Sequence, residues 1–371
     1  MEISFTNEHN ELRQTVRRFL EKDSAETVVR KLMETESGYD ARTWERMASE
    51  LSLLGLIIPE KNDGAGLGPV ELAIVFEEMG RTLYCGPYLA SAVLAASIVS
   101  GAATEAEKAK LLPEIASGKT IATLAIAEES GKSNPEAVAM RATRDGSSYR
   151  LDGVKNFVFD GHTANVILIA ARDGNDLALF RIEGNAKGLE RTQLPTLDLT
   201  RKLANLTFKA TPATKISEGD ITKALRHTLT LGTAMLAAEQ VGSAQRCLEM
   251  STEYAKTRLQ FGRPIGSYQA IKHKCADMLV ETEFARSAAY NAAFALTDDD
   301  VAEAQEAAAI AKSYCSEAAY KAAAENIQIH GGMGFTWEHP AHLYFKRARA
   351  NSMLLGDPAE HRLKLAAALE L

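Results

Sequence analysis

The spacing of apolar residues changes twice along this 371-residue chain, and these two changes constrain the fold more than any other feature. Up to about residue 119, apolar side chains recur at helical spacing, as at Leu12, Val16 and Phe19. Thr6 or Asn7 is placed to cap the first helix, which is predicted over residues 7–21. Further helices are predicted over residues 41–54, 70–83 and 88–100. The pattern therefore predicts a helical N-terminal domain, residues 1–119.

Between residues 120 and 217 the apolar residues instead alternate or form short runs rich in β-forming residues. Turn dipeptides such as Asp145-Gly146 and Asp173-Gly174 separate these runs. Strands are predicted over residues 123–127, 149–151, 156–159, 166–171, 177–182 and 206–208. This part of the chain is predicted to be a small β domain.

From Ile221 onward the helical spacing returns in much longer segments. Helices are predicted over residues 221–258, 268–295 and 301–328, with a shorter one beginning near Pro340. Alanine-rich stretches favour helix and allow neighbouring helices to approach closely. The sequence thus predicts an α+β protein with domains at 1–119, 120–217 and 218–371, the last a helical bundle.

The charge balance and the cysteines exclude several functional classes. Lys and Arg total 42 against 49 Asp and Glu, so the formal net charge is −7 and no broad positive field is available for nucleic acid or an anionic membrane. No apolar segment approaches the roughly 20 residues of a membrane helix, and the charged N-terminal segment lacks an export signal. The four separated cysteines, and His339 with His342, predict neither a disulfide framework nor a metal site. We expect a soluble protein of the reducing cytoplasm.

The first segment with possible chemistry is the break between two long helices, residues 258–269. Arg258 and Arg263 have the chemistry to pair with phosphate oxygens, while Phe261 can pack on an adenine or another ring. The alternative is an ordinary interhelix turn with solvated arginines, and the residues by themselves favour that alternative.

The second segment is the glycine-rich end of a long helix, residues 328–335. Gly331, Gly332 and Gly334 permit close approach of backbone to a ligand and can turn amide groups toward a pyrophosphate. A helix cap followed by a turn would need only one of these glycines. Three glycines weaken the purely structural interpretation.

Taken together, these residues resemble the acyl-CoA dehydrogenase family over essentially the whole chain. Residues 64–81 resemble part of its N-terminal domain, residues 155–161 its K-x-W-I-T-N-G strand, and residues 254–269 and 328–335 its RxxFG and GGxGF signatures. The resemblance implies a helical domain, a β-barrel-like domain and a four-helix bundle. It also implies a tetramer that dehydrogenates an acyl-CoA substrate to a 2-enoyl-CoA with FAD, and an electron acceptor such as an electron-transfer flavoprotein.

The resemblance assigns roles to particular residues. Phe157, in the family's tryptophan position, would lie against the isoalloxazine ring. The ADP half of FAD would be served, across a subunit interface, by Arg258, Phe261, Gln269, Gln328, Gly331 and Gly332.

This chain departs from the family where the chemistry occurs. Leu355 stands in place of the usual catalytic glutamate, and the alternative base position aligns with Gly232. Residues 127–134 depart from the T-E-P-G-A-G-S-D pattern, and Phe159 replaces the threonine expected to bind the flavin. The flavin-facing half therefore lacks several of the family's residues, while the ADP-facing half retains the family's motifs.

Three hypotheses follow. In the first, Glu239 or Asp357 is a relocated base in a homotetramer, although Glu239 is equally well explained as a structural ion-pair residue. In the second, the chain is the base-deficient subunit of a heterotetramer acting on steroid side-chain or other bulky CoA esters. In the third, it is a non-enzymatic scaffold that binds CoA esters or flavin. The retained ADP motif together with the missing base favours the second.

Overall fold

The computed structural model describes residues 5–146, 148–298 and 300–370, and it confirms the predicted order of helices, sheet and helices. The α-helices are α1 (Asn7–Asp23), α2 (Glu26–Met33), α3 (Ala41–Ser49), α4 (Pro69–Thr82), α5 (Ala96–Ala102), α6 (Glu105–Ala116), α7 (Thr222–Thr257), α8 (Gln269–Ala295), α9 (Val301–His330), α10 (Ala341–Met353) and α11 (Pro358–Ala368). The strands are β1 (Ala122–Ala125), β2 (Ala142–Asp145), β3 (Ser148–Phe159), β4 (Val166–Asp173), β5 (Asp176–Glu183), β6 (Leu189–Gln193), β7 (Leu203–Lys215), β8 (Leu259–Gln260) and β9 (Arg263–Pro264).

The first helix begins with a reciprocal cap. The Thr6 side chain accepts from the backbone N–H of His9, and the His9 ring accepts from the backbone N–H of Thr6. Of the two capping residues that the sequence offered, Thr6 is the cap and Asn7 is the first helical residue. The buried side chains of this helix lie on one face, as its spacing predicted: Val16, Phe19 and Leu20.

The helix predicted over 41–54 is shorter than expected. It ends at Ser49, and Ser52 then adopts a left-handed conformation with φ of 52° before a 3₁₀ turn at Leu53–Gly55. The segment predicted over 88–100 divides into a π-helix, Leu89–Ala95, and α5. Helices α2, α6 and α11 were not predicted. They have 8, 12 and 11 residues, so each offers few turns over which an apolar period can be recognised.

The sheet has the strand order β1-β4-β5-β7-β3-β2, and β6 also pairs with β7. The predicted strands at 149–151 and 156–159 are one strand, β3, whose pairing with β7 is interrupted by register shifts at Leu151/Gly153 and at Lys155/Val158. Strands β2 and β6 were not predicted, because they are largely exposed and carry little apolar pattern. Near its ends the sheet curves back, so that Asn156 N donates to Ala127 O at 2.8 Å.

By compactness the chain divides into two units, each of which is assembled from separated segments. The first contains residues 1–30, 69–84 and 233–371, and the second contains residues 31–68 and 85–232. This division differs from the sequential boundaries at 119/120 and 217/218, which stay a prediction. In the first unit α9 packs against α8, α10 and α11. In the second, β4 is buried on both faces from Val166 to Ala171.

Two glycines allow α4 and α7 to touch backbone to backbone within the first unit. A Cβ added at Gly242 would lie 1.8 Å from Glu77 O, and one added at Gly80 would lie 1.9 Å from Glu239 O. The Ser243 hydroxyl fastens the crossing by donating to Gly80 O at 3.1 Å. Only residues without a side chain fit at these two positions.

Within the described ranges, no helix combines the length and the apolarity that a bilayer crossing demands.

Candidate functional site

The break between α7 and α8 is a miniature hairpin. Gln260 of β8 pairs with Arg263 of β9, and the two residues between them, Phe261 and Gly262, have φ of 53° and 79°. Two positive φ values at the centre of a two-residue loop are typical of a type I′ turn. Phe261, at the tip of the hairpin, is 92 % exposed. The sequence indicated a break here but gave no signal for the hairpin.

Two arginines lie in this break, Arg258 just before β8 and Arg263 in β9. Within the described residues the guanidinium of Arg258 forms no ion pair, and that of Arg263 lies over the Tyr268 ring, 4.1 Å from its centroid. The Tyr268 hydroxyl donates to Gln260 O at 3.2 Å and so holds the ring in place. Gln269, the first residue of α8, is exposed beside them. Positive charge is therefore available to an anionic ligand.

The three glycines at the end of α9 have different roles. Gly331 caps the helix with φ of 60°, and a Cβ at Gly334 would lie 2.8 Å from Ile327 O, so packing and backbone geometry explain these two. A Cβ at Gly332 would meet no atom within 4 Å. This turn thus presents bare backbone at Gly332 that internal packing does not require, next to the exposed Gln328.

The hairpin and the glycine turn lie at the same end of the first unit. The Tyr254 ring of α7 stacks on the His330 ring of α9 with centroids 4.3 Å apart, and Ser251 Oγ lies 3.0 Å from Asn326 Oδ1. The His339 ring lies 4.1 Å from His330, and burial lowers the pKa of His339 to about 4. At neutral pH the His339 ring is therefore uncharged, and the rings of Tyr254, His330 and His339 pack together as an aromatic cluster.

This donor set fits the adenosine diphosphate half of a dinucleotide. Guanidinium groups without carboxylate partners suit a diphosphate, an exposed aromatic ring suits an adenine, and bare glycine backbone allows close approach. The cofactor that the sequence resemblance implies is FAD, and Arg258, Phe261 and Gly332 are the residues with the chemistry to hold its ADP part. No cluster with the geometry for a metal ion occurs in the described part of the chain.

Phe157 belongs to the second unit and lies at the register shift of β3. Its φ is 55°, its backbone N–H donates to Asn205 Oδ1 at 3.3 Å, and its side chain is 51 % exposed. A Cβ at Gly131 would lie 3.5 Å from the Phe157 ring. The ring is therefore displayed at the surface of this unit, beside the loop that precedes β2.

Glu239 is buried in an ion pair in the first unit. Its Oε1 accepts from Arg347 at 2.5 Å and from Asn351 Nδ2 at 3.1 Å. Arg347 also donates to Tyr84 O at 3.2 Å, and both charged side chains are almost completely buried. This geometry favours the structural interpretation of Glu239 over its use as a base.

Asp357 and Leu355 lie in the turn between α10 and α11. Asp357 is the N-cap of α11, and its Oδ1 accepts from Glu360 N at 2.8 Å. Leu355 has φ of 56°, and its carbonyl lies 3.0 Å from Nε2 of the buried His361. The carboxylate of this turn is thus engaged by a helix start.

Lys312 is a buried cation beside this turn that the sequence analysis missed. Its Nζ donates to Asn351 O at 2.9 Å, Ser352 O at 3.2 Å and Gly356 O at 3.1 Å, the carbonyls that end α10 and follow it. A lysine within an alanine-rich apolar stretch was the available signal. The ammonium holds the turn on which Leu355 is carried.

Lys312 should make the stability of the protein depend on pH. Burial lowers the pKa of Lys312 from 10.5 to about 7, against the opposing effects of Asp357 and Glu360. Between these two values the unfolded chain binds one more proton, so stability rises with pH there; below about 7 the penalty is fully present. Relative to Lys312→Met, the wild-type unfolding free energy should rise by at most about 1.4 kcal/mol per pH unit over this range. Urea unfolding at pH 6, 8 and 9 measures it, and parallel curves for the two proteins would contradict it.

Comparison with known proteins adds an independent observation. Residues 6–119 match the profile described as acyl-CoA dehydrogenase, N-terminal domain, and residues 222–370 match that described as acyl-CoA dehydrogenase, C-terminal domain. The sequence is 34 % identical over 362 residues to the acyl-CoA dehydrogenase IpdE2 of Mycolicibacterium smegmatis, an alignment covering 98 % of this chain and 99 % of that protein.

Two solved structures are similar to the fold. One is a chain of a variant of the Tcur3481–Tcur3483 steroid ACAD, with a TM-score of 0.88, 30 % identity and 98 % of each chain covered. The other is a chain of the ChsE4–ChsE5 complex from Mycobacterium tuberculosis, with a TM-score of 0.90 and 28 % identity, covering 100 % of this chain and 99 % of that one. The similarity extends over nearly the full length in both cases.

Proposed function

Because this chain belongs to the acyl-CoA dehydrogenase family, we propose that it takes part in the α,β-dehydrogenation of an acyl-CoA thioester as the base-deficient subunit of a heterotetramer. The resemblance drawn from the sequence is confirmed by these matches. Members of the family are FAD-dependent flavoproteins that act as oxidoreductases on CH–CH groups. The subunit role, the substrate and the binding of FAD by this chain are the proposed steps.

The observation that carries the proposal is the state of the base position. Leu355 occupies it, and leucine cannot accept a proton. Both candidate substitutes have other partners. Glu239 accepts hydrogen bonds from Arg347 and Asn351. Asp357 caps the start of α11. A related chain is therefore expected to supply the carboxylate.

The proposal gives residues of the first unit a role in binding the ADP part of FAD. Arg258 and Arg263 would neutralise the diphosphate, Phe261 would stack on the adenine, and Gly332 would let the backbone approach the phosphates. When bound, FAD supplies the acceptor of the substrate's β-hydride. Phe159 stands where the family places a flavin-binding threonine, so this chain contributes less on the flavin-ring side.

The proposed substrate is a CoA ester with a bulky group such as a steroid side chain. The support is the similarity to a chain of a steroid ACAD and to a chain of the ChsE4–ChsE5 complex. An electron-transfer flavoprotein is the proposed electron acceptor.

Co-expression tests the proposal. The chain is produced alone and together with its related genomic neighbour, and bound FAD and acyl-CoA-dependent reduction of an electron acceptor are measured. We expect turnover only from the co-expressed complex, with steroid side-chain CoA esters preferred to straight-chain esters. Full flavin and turnover from the lone chain would refute the subunit role. If neither the lone chain nor the co-expressed preparation contains flavin or turns over, the result would favour a scaffold.

Arg258→Ala in this complex should weaken FAD binding. A bidentate, charge-assisted contact is worth about 1.5–3 kcal/mol, so the dissociation constant should rise about 10- to 100-fold. Fluorescence titration of the flavin-depleted complex measures it. Arg18→Ala, at an exposed arginine of α1, is the matched control and should leave the affinity unchanged. Equal affinities of the two variants would remove Arg258 from the site.

A further inference from the structure

Lys155 of β3 is a fully buried cation for which the proposed function has so far given no role. Its Nζ donates to Ile126 O at 2.9 Å and to Glu128 Oε1 at 2.7 Å. Taking an ammonium out of water is costly, and a buried ion pair is weak grounds for stability, because apolar residues of similar size often stabilise a fold as well. The pair is therefore better explained by the geometry that it imposes.

Glu128 joins both ends of the loop that leads from β1 to β2. Its carboxylate accepts from the backbone N–H groups of Ala139, at 3.2 and 3.1 Å, and of Met140, at 2.9 Å. With Lys155 on the same carboxylate, residues 128 and 139–140 are fixed together on β3. The loop between them is closed at its base by one side chain.

The same pair borders the irregular part of β3. Asn156, next to Lys155, donates from its backbone N–H to Ala127 O at 2.8 Å and from Nδ2 to Glu128 O at 3.1 Å. Immediately after it, Phe157 adopts its positive φ within the register shift. A non-glycine residue in this conformation persists only where the surroundings determine it. The contacts of Glu128, Lys155 and Asn156 provide those surroundings.

We infer that Glu128 and Lys155 are positioning residues, whose ion pair locks the loop of residues 128–140 to the bulge of β3. The lock presents the Phe157 ring, with Gly131 beside it, as one preformed surface for the flavin ring. This inference rests on the proposed function, because the ligand is the one proposed there. It concerns the flavin-facing side, where the sequence departs from the family. There the ion pair fixes the shape of the surface and does not itself hydrogen-bond to the flavin.

The test uses Lys155→Met and the isosteric Glu128→Gln, with Lys61→Met as the control. Lys61 forms an exposed ion pair with Glu105 at 3.1 Å elsewhere in the second unit. Hydrogen exchange is measured on each purified complex, and the absorption and fluorescence of bound FAD are recorded on the same samples. In Lys155→Met, exchange at Ala139 and Met140 should accelerate about ten-fold or more, with the buried strand β4 unchanged and the flavin spectrum shifted. Glu128→Gln should give an intermediate effect, because the amide retains an acceptor oxygen, and Lys61→Met should give none.

The possible outcomes separate the inference from the function on which it rests. Wild-type exchange at Ala139 and Met140 in both test variants would overturn the inference. Faster exchange with an unshifted flavin spectrum would also overturn it and leave the proposed function standing. A wild-type complex without flavin would overturn the proposed function and, with it, the assignment of this surface to flavin.

Discussion

Arg347→Met should lower the free energy of unfolding by about 3–5 kcal/mol, because it leaves a buried carboxylate without its counter-charge. In the folded protein Glu239 would lose the guanidinium while retaining its contact with the Asn351 amide, and Tyr84 O would lose a donor. Chemical denaturation followed by circular dichroism measures the loss. Arg362→Met, which removes an exposed pair with Glu317, is the control and should cost no more than about 1 kcal/mol.

The double variant Glu239→Gln/Arg347→Met should be more stable than Arg347→Met alone, because no unpaired charge remains in it. A loss in Arg347→Met no larger than in the control would show that this site tolerates the Glu239 carboxylate without Arg347. The same variants address catalysis. If Glu239 is structural, Glu239→Gln should lower the turnover of the co-expressed complex only in proportion to the folded fraction, whereas loss of a base costs about 100- to 10,000-fold.

Gly242→Ala should lower the free energy of unfolding by about 3 kcal/mol or more, at or beyond the upper end of ordinary overpacking. The added methyl group would lie 1.8 Å from Glu77 O, and backbone in the middle of two helices cannot yield as a flexible side chain can. The gain of up to about 1 kcal/mol that alanine brings to a helix interior works against this loss and is too small to cancel it.

Thermal unfolding of Gly242→Ala and of Gly332→Ala provides the comparison. At Gly332 a Cβ meets no atom within 4 Å and φ is not positive, so that variant should unfold as the wild type does. Similar melting temperatures for the two variants would mean that α4 and α7 separate at little cost.

The elements that sequence predicted well are those with a long, regular apolar period. Helices α7, α8 and α9 begin and end within two residues of their predicted bounds, because each carries many turns of the same pattern. The hairpin at 259–264 was missed, because its strands have two residues each and Phe-Gly is not a typical type I′ pair. Short elements stabilised by one or two contacts leave no periodic signal.

The candidate site was predictable where a local motif carries it. Arg258 and Gly332 belong to compact segments whose composition is unusual for helix packing. Lys155 and Lys312 were not recognised, since the carbonyl and carboxylate oxygens that they bind lie 27 to 44 residues away along the chain. Long-range pairing of buried charges becomes visible only when the fold is known.

The tip of the 259–264 hairpin has a consequence for the isolated chain. A phenylalanine is unfavourable there for two reasons. Asparagine or glycine adopts a positive φ at lower cost. An apolar ring that stays in water also contributes no free energy of burial. Phe261→Asn should therefore leave the lone chain as stable as before or more stable. Within the described chain the aromatic contact of Phe261 is an edge-on one to Tyr268, with centroids 6.4 Å apart, so most of the apolar surface of the ring is left for a molecule outside this chain.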